Sequence, residues 1–300
     1  MNKKWNGRAP AGRIAYVDGR YVAHGKAGVH IEDRALQLGD GIYEVCGVEG
    51  GALMDEEEHL DRLERSLREI EMAMPMPRNA LKLVMRELVR RNGVRHGLLY
   101  LQVTRGAVRR DHPIPETSPR PTLILTVRAI APQDFEMRRR DGIAVISRPD
   151  ERWGRCDIKT VQLLPNLMAK TAARRAGAYE AWLVDSEGFV TEGSSTTAWI
   201  VDGQGNLRTR HLTNDILPGV TRRVILEAAA AAQLPIHETR FTVADAAAAR
   251  EAFISSATGI VPVTAIDGKR VGEGVPGPLT RRIQELYALT SRQRAAKTGS

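Results

Sequence analysis

Between Ala129 and Asp141 the hydrophobic pattern of this 300-residue chain lapses, and Pro132 and the run Arg138-Arg139-Arg140 take its place. On either side the pattern is dense, so the stretch reads as a domain boundary; the length by itself suits one large domain or two modest ones. The expected division is a flexible N-terminal extension at 1–12, a small domain at 13–130, an interdomain linker at 131–141, a large domain at 142–290 and a flexible tail at 291–300. The sequence contains no internal repeats.

Within the first part, Ile14-Ala15-Tyr16-Val17 and Tyr21-Val22-Ala23 flank Asp18-Gly19, the pattern of a hairpin. Leu38 to Val45 starts as a glycine-rich turn and enters a strand. Glu57 to Met72 has helical spacing, with Leu60, Leu63, Leu67 and Ile70 on one face and His59 and Arg62 on others. Pro77 to Asn92 reads as a second helix, and Gly97 to Thr104 and Thr122 to Val127 as strands. Beyond the boundary, strands are expected at Ile143–Ile146, Glu180–Val184, Ala198–Val201 and Ala252–Ser255, and helices at 163–176, 219–233 and 278–290.

Hydrophobic residues make up 42% and charged residues 27%, enough for a sizeable core without staples. The two cysteines, Cys46 and Cys156, point to a reducing compartment without a disulfide framework. Met1-Asn2-Lys3-Lys4-Trp5 leads into no apolar signal core, and no apolar run approaches the roughly 18 residues of a membrane span. The expected location is cytoplasmic. A net charge of +8 suits either nucleic acid or small anions. With 5% aromatics and neither a helix-turn-helix nor a metal-ligand pattern, the charge reads as general basicity, useful for small anionic substrates and for solubility, and no nucleic acid, membrane or metal is expected.

Several short stretches carry chemistry. In Arg155-Cys156-Asp157-Ile158-Lys159, the lysine is framed by Ile158, Val161, Leu163 and Leu164. It is either a snorkelling surface lysine or a lysine in apolar surroundings, which is costly to keep charged and becomes nucleophilic, as a Schiff-base lysine must be. The loop from Arg105 to Pro113 holds three arginines and a histidine in eight residues. It is either a solvated basic loop or an anion trap, since guanidinium groups grip carboxylates bidentately. Pro218-Gly219 precedes a helix whose first N–H groups, on Val220, Thr221 and Arg222, suit a phosphate. Glu192 precedes a run of hydroxyl residues, either an ordinary turn or a carboxylate placed to hold a protonated ring nitrogen. Tyr43, taken alone, is a half-buried strand aromatic.

Five motifs in this order, Gly39-Asp40-Gly41-Ile42-Tyr43-Glu44, His59-Leu60-Asp61-Arg62-Leu63, Thr104-Arg105-Gly106 with Arg110 and His112, Arg155 to Lys159, and Thr191 to Ser195, make the chain resemble the fold type IV pyridoxal-phosphate enzymes from about residue 13 to 290. The Arg110-x-His112 pair resembles their D-amino acid branch. The resemblance implies an α+β, two-domain fold, with a smaller N-terminal α/β domain and a larger C-terminal domain around a β-barrel-like core. It implies pyridoxal 5'-phosphate as cofactor and Lys159 as its Schiff-base lysine. Arg62, Val220, Thr221 and Ala257 would meet the cofactor phosphate, and Glu192 the pyridine nitrogen. Tyr43, Arg110 and His112 would hold the substrate carboxylate, the last two reaching in from the partner of a homodimer.

The implied reaction is transamination of D-amino acids in two half-reactions, of the type D-alanine plus 2-oxoglutarate to pyruvate plus D-glutamate. Alternatives within the fold are a branched-chain L-amino acid transaminase, an (R)-amine transaminase and aminodeoxychorismate lyase. A basic binding protein without turnover is the alternative outside it, and Lys159 and Glu192 argue against that. Two positions depart from the family pattern: Thr197 stands where Asn is frequent, and Ala257 where a threonine hydroxyl is common. Ala257 leaves only a backbone N–H for phosphate.

Overall fold

The structure is a computed structural model that describes residues 12–298. The extension expected at 1–12 therefore lies, but for Gly12, outside the described residues. The chain divides into two compact units. One runs to Ile130 and takes in Lys159–Gln162, and the other comprises Ala131–Ile158 and the chain from Leu163 onward.

In chain order the first unit comprises β1 (Ile14–Val17), β2 (Arg20–Ala23), α1 (Arg34–Leu38), β3 (Gly41–Glu49), β4 (Ala52–Leu53), α2 (Glu56–Glu69), α3 (Arg78–Arg91), β5 (His96–Thr104) and β6 (Thr122–Ala129). Its strands form one antiparallel sheet in the order β2-β1-β6-β5-β3-β4. The β1–β2 turn has positive φ at both Asp18 (44°) and Gly19 (89°), matching the twist of the flanking strands. Along β5, Leu99, Leu101 and Val103 are buried and alternate with half-buried Tyr100 and Gln102. Leu60, Leu63 and Leu67 of α2 and Leu81, Met85 and Leu88 of α3 complete this core.

The buried face of α2 is wider than its leucine stripe. His59 and Arg62, expected on other faces, are buried too. They point to Glu44 on β3, which makes their burial tolerable by accepting from both.

The second unit comprises α4 (Pro132–Asp141), β7 (Ile143–Pro149), α5 (Leu164–Arg175), β8 (Glu180–Val184), β9 (Val190–Gly193), β10 (Thr197–Val201), β11 (Leu207–Thr209), α6 (Val220–Ala231), β12 (Ile236–Glu238), α7 (Val243–Ala247), β13 (Glu251–Ser256), β14 (Gly259–Ile266), β15 (Lys269–Arg270) and α8 (Pro278–Thr298). Nine strands make a mixed sheet in the order β12-β11-β10-β13-β14-β7-β8-β9, with β15 on β14. At the β8 end, β9 returns onto β10: Gly193 N donates to Thr196 O at 2.6 Å. The sheet therefore curls into a half-barrel, as the resemblance implies. Its interior holds Val145, Trp182, Val190, Ile200, Ile254 and Val263, with Phe241 edge-on to Trp182.

Two stretches without a visible apolar stripe are helical. The residues read as a linker form α4, whose described side chains are mostly exposed. Beyond residue 290, where the sequence reads as a flexible tail, α8 continues to Thr298. Buried Ser291 keeps this turn in contact with the protein.

Candidate active site

In the first unit, the segment around Lys159 is clamped to the start of β3. Tyr43 N donates to Lys159 O at 3.0 Å, Val161 N donates to Gly41 O at 3.0 Å, and Thr160 bridges Ile42. Gly39 ends α1 in the left-handed region (φ 73°), and a Cβ there would come within 2.6 Å of Gln162. That close approach is what the glycine-rich turn permits. Lys159 Nζ lies 4.3 Å from the centroid of the Tyr43 ring, which in turn stacks on Tyr100 at 5.7 Å. The apolar frame expected around the lysine is only partly present. Ile158 is buried, but Leu164 is 69% exposed, and the aromatic face of Tyr43 is the surface the amine meets. Burial pushes the Tyr100 phenol up to about 12, with Tyr43 adding to the rise, and its hydroxyl donates to Gln102 at 2.6 Å.

Arg62 lies in the same unit. Its Nε and Nη2 donate to the two oxygens of Glu44 at 2.7 and 2.8 Å, and His59 Nδ1 is 2.8 Å from Glu44. Of the three loop arginines, Arg105 is buried and its donors go to Asp40 and to the carbonyls of Ile70 and Glu71. It takes no part in an anion trap. Arg110 and His112 are exposed on the loop.

In the second unit a strip of groups runs from Glu192 to the β13–β14 turn. Glu192 is buried, and Leu217 N lies 3.3 Å from both of its carboxylate oxygens. Two residues on, Gly219 enters α6 so close to β10 that a Cβ would meet Thr197 Oγ1 at 3.0 Å. No side chain caps α6, and the first bond inside the helix is Arg223 N to Gly219 O at 3.0 Å. The preceding N–H groups, on Val220, Thr221 and Arg222, face outward from the helix start. Thr221 Oγ1 donates to Ser256 O at 2.9 Å, which brings the Ser256-Ala257-Thr258 turn alongside. There the hydroxyls of Ser256 and Thr258 are 2.9 Å apart. A helix N-terminus flanked by hydroxyls and a backbone turn is a donor set suited to a phosphate dianion.

One residue of this strip was not visible in the sequence. Arg152 ion-pairs with Glu192, donates from Nη2 to Asp150 at 2.7 Å and to Asp215 O at 2.9 Å, and so fixes the carboxylate from behind. Burial works against its charge, but Glu192 and Asp150 hold its pKa above the ordinary arginine value. Asp150 and Arg152 are two apart at the end of β7, a spacing with no signature of its own. Only the fold brings Glu192 to them.

A buried carboxylate at one end of a strip and an anion cradle at the other, on a curled mixed sheet, suit an aminotransferase of the pyridoxal-phosphate class. The comparisons agree. The branched-chain amino acid aminotransferase from Escherichia coli has the same fold, with a TM-score of 0.81 at 25% identity over 91% of this chain and 92% of that one. A hypothetical aminotransferase from Mycobacterium tuberculosis in its PLP-bound form gives a TM-score of 0.79 at 25% identity, covering 93% of this chain and 98% of that one. The D-alanine aminotransferase of Bacillus licheniformis is 38% identical over 282 residues, which is 94% of this chain and 98% of the relative. Residues 41–266 match the profile of the family described as amino-transferase class IV. The chain belongs to the class IV aminotransferases, and its cofactor is pyridoxal 5'-phosphate.

Proposed function

We propose that this chain transfers amino groups between D-amino acids and 2-oxo acids, of the type D-alanine plus 2-oxoglutarate to pyruvate plus D-glutamate. The observation that carries the reading is 38% identity to a D-alanine aminotransferase across nearly the whole of both chains. The donor sets of the two units support it. When bound, pyridoxal phosphate supplies an electron sink for charge developing at the substrate α-carbon. Lys159 Nζ, 4.3 Å from the centroid of the Tyr43 ring, would move the proton from the substrate α-carbon to the cofactor C4′. Such acid–base help is typically worth roughly 10²–10⁴-fold. Glu192, braced by Arg152, would hold a protonated ring nitrogen. Val220, Thr221 and Ala257 offer backbone N–H groups to the phosphate. Arg62 supplies its positive charge from a guanidinium oriented by Glu44.

Tyr43, Arg110 and His112 grip the substrate carboxylate, Arg110 and His112 from a second copy of the chain. The exposed Ile31 and Leu36, at 77% and 65%, support a homodimer that covers them. We read residues 13–130 and 142–290 as the two domains. Both cysteines are free, and no helix among the described residues is long and apolar enough to cross a membrane. The reducing compartment implied by the cysteines is read as the cytoplasm.

The test is Arg110→Ala assayed with two donors, D-alanine and (R)-1-phenylethylamine. Charge-assisted hydrogen bonds contribute about 1.5–3 kcal/mol each, so kcat/KM for D-alanine falls by at least roughly tenfold. The amine has no carboxylate to lose and is affected far less. Equal losses for both donors contradict the assignment of Arg110.

A further inference from the structure

The Gly39-Asp40-Gly41 and Thr104-Arg105-Gly106 motifs bring together two charges, half-buried Asp40 and buried Arg105, that the proposed chemistry does not use. We propose that Arg34, coupled to Arg105 through Asp40, is the positioning residue for the loop that presents Arg110 and His112. The proposal rests on the reading of those two residues as the carboxylate grip.

Arg34 opens α1 and is only 3% exposed. Its Nε donates to Asp40 Oδ2 at 2.7 Å, and Arg105 Nε donates to the same oxygen at 2.8 Å. From that fixed base Arg34 Nη1 donates to Asp111 O at 2.8 Å and Nη2 to His112 O at 3.4 Å. One guanidinium thus holds the backbone immediately after Arg110. Arg105, itself anchored on the carbonyls of Ile70 and Glu71, keeps Asp40 from following Arg34.

The other end of the loop is tied to the same short helix. Arg34 N donates to Gly106 O at 3.0 Å. Asp33 caps α1 by accepting from Ala35 N at 2.9 Å, and its second oxygen accepts from the Thr104 hydroxyl at 2.7 Å. Thr104 Oγ1 accepts in turn from Gly106 N at 3.0 Å. Gly106 has φ +98°, and a Cβ there would come within 2.2 Å of Arg120 O, so only glycine closes this end. Two ends are fixed while the side chains of Arg110 and His112 stay exposed. Affinity for a carboxylate falls in proportion to the fraction of time the loop is competent, so the anchor sets KM rather than the chemical step. A lysine cannot replace Arg34, because a point charge does not serve a carboxylate and two carbonyls at once.

The experiment compares holoenzyme of wild type, Arg34→Lys, Arg34→Gln and Arg110→Ala, with D-alanine and (R)-1-phenylethylamine as donors. Hydrogen exchange of residues 106–113 is measured in parallel. Both Arg34 variants are expected to raise KM for D-alanine roughly tenfold with kcat at saturation within about twofold, as for a loop competent about a tenth of the time. The amine donor is unaffected and exchange in 106–113 rises. If one variant does not fold, the other carries the test. An unchanged KM for D-alanine in the Arg34 variants, while Arg110→Ala raises it, overturns this proposal and leaves the proposed function standing. Equal losses for both donors in the Arg34 variants also overturn it. If Arg110→Ala leaves KM unchanged, the carboxylate reading fails and this proposal falls with it.

Discussion

Glu44→Gln removes one charge and almost no volume from the most enclosed ionic cluster of the first unit. Glu44 is 2% exposed and accepts from Arg62 Nε, Arg62 Nη2 and His59 Nδ1 at 2.7, 2.8 and 2.8 Å. Burial alone would raise its pKa; the charge and hydrogen bonds of Arg62, then those of His59, outweigh this and hold it far below the usual carboxylate range. A depressed folded-state pKa means the contribution is complete above the unfolded value of 4.5 and is lost only as pH falls through the lower folded one. At neutral pH the cluster contributes in full. Gln leaves the buried Arg62 without this carboxylate, and breaking a buried pair from one side costs about 3–5 kcal/mol. At about 2–4 °C per kcal/mol for chains of this order of size, Tm falls by roughly 6–20 °C. Scanning calorimetry at saturating cofactor measures it. The control is Glu87→Gln, whose partners Arg90 and Arg91 lie on the surface of α3 and whose loss leaves Tm in place. A shift for Glu44→Gln no larger than the control's would refute the idea that this cluster holds α2 against β3.

Two further outcomes are expected. Lys159→Ala folds, and borohydride no longer fixes the cofactor to the peptide carrying residue 159; continued fixation at that peptide rejects the lysine assignment. The Cys156 thiol is pushed up from 9.0 to about 12, chiefly by burial, so between these values the unfolded chain releases a proton that the folded chain keeps. Stability therefore falls with rising pH over that window, and in Cys156→Ala the slope measured by urea midpoints from pH 9 upward is shallower; an unchanged slope counts against it.

The elements that could be read from the sequence are those whose pattern is local. Asp18-Gly19 between two apolar runs marks the first hairpin, and the leucine spacing marks α2. β14 was missed because Pro262 interrupts its apolar run, and proline argues against a paired strand. In the sheet Pro262 sits one residue before the first β14–β7 pair, Val263 with Ile143, so that ladder begins beyond it. His59 and Arg62 lie off the leucine stripe, and the helix alone cannot say that a strand residue, Glu44, will face them. The motifs of the candidate site were visible as stretches of residues, but their partners were not. Arg152 reaches Glu192 across 40 residues, and Arg34 reaches the Asp111 and His112 carbonyls across more than 70. Such pairings arise from sheet order and loop closure, which leave no periodic trace. The three arginines after Thr104 look alike in sequence, and burial alone distinguishes Arg105 from Arg109 and Arg110.

The central claim is a preference for the D-enantiomer, and it is tested most directly by the wild-type holoenzyme with 2-oxoglutarate as acceptor. kcat/KM is measured for D-alanine, L-alanine and L-leucine under identical conditions. The account predicts that D-alanine is used at least an order of magnitude more efficiently than either L-amino acid, since a factor of ten requires only about 1.4 kcal/mol of differential transition-state binding. Faster turnover of L-leucine or L-alanine than of D-alanine would contradict it.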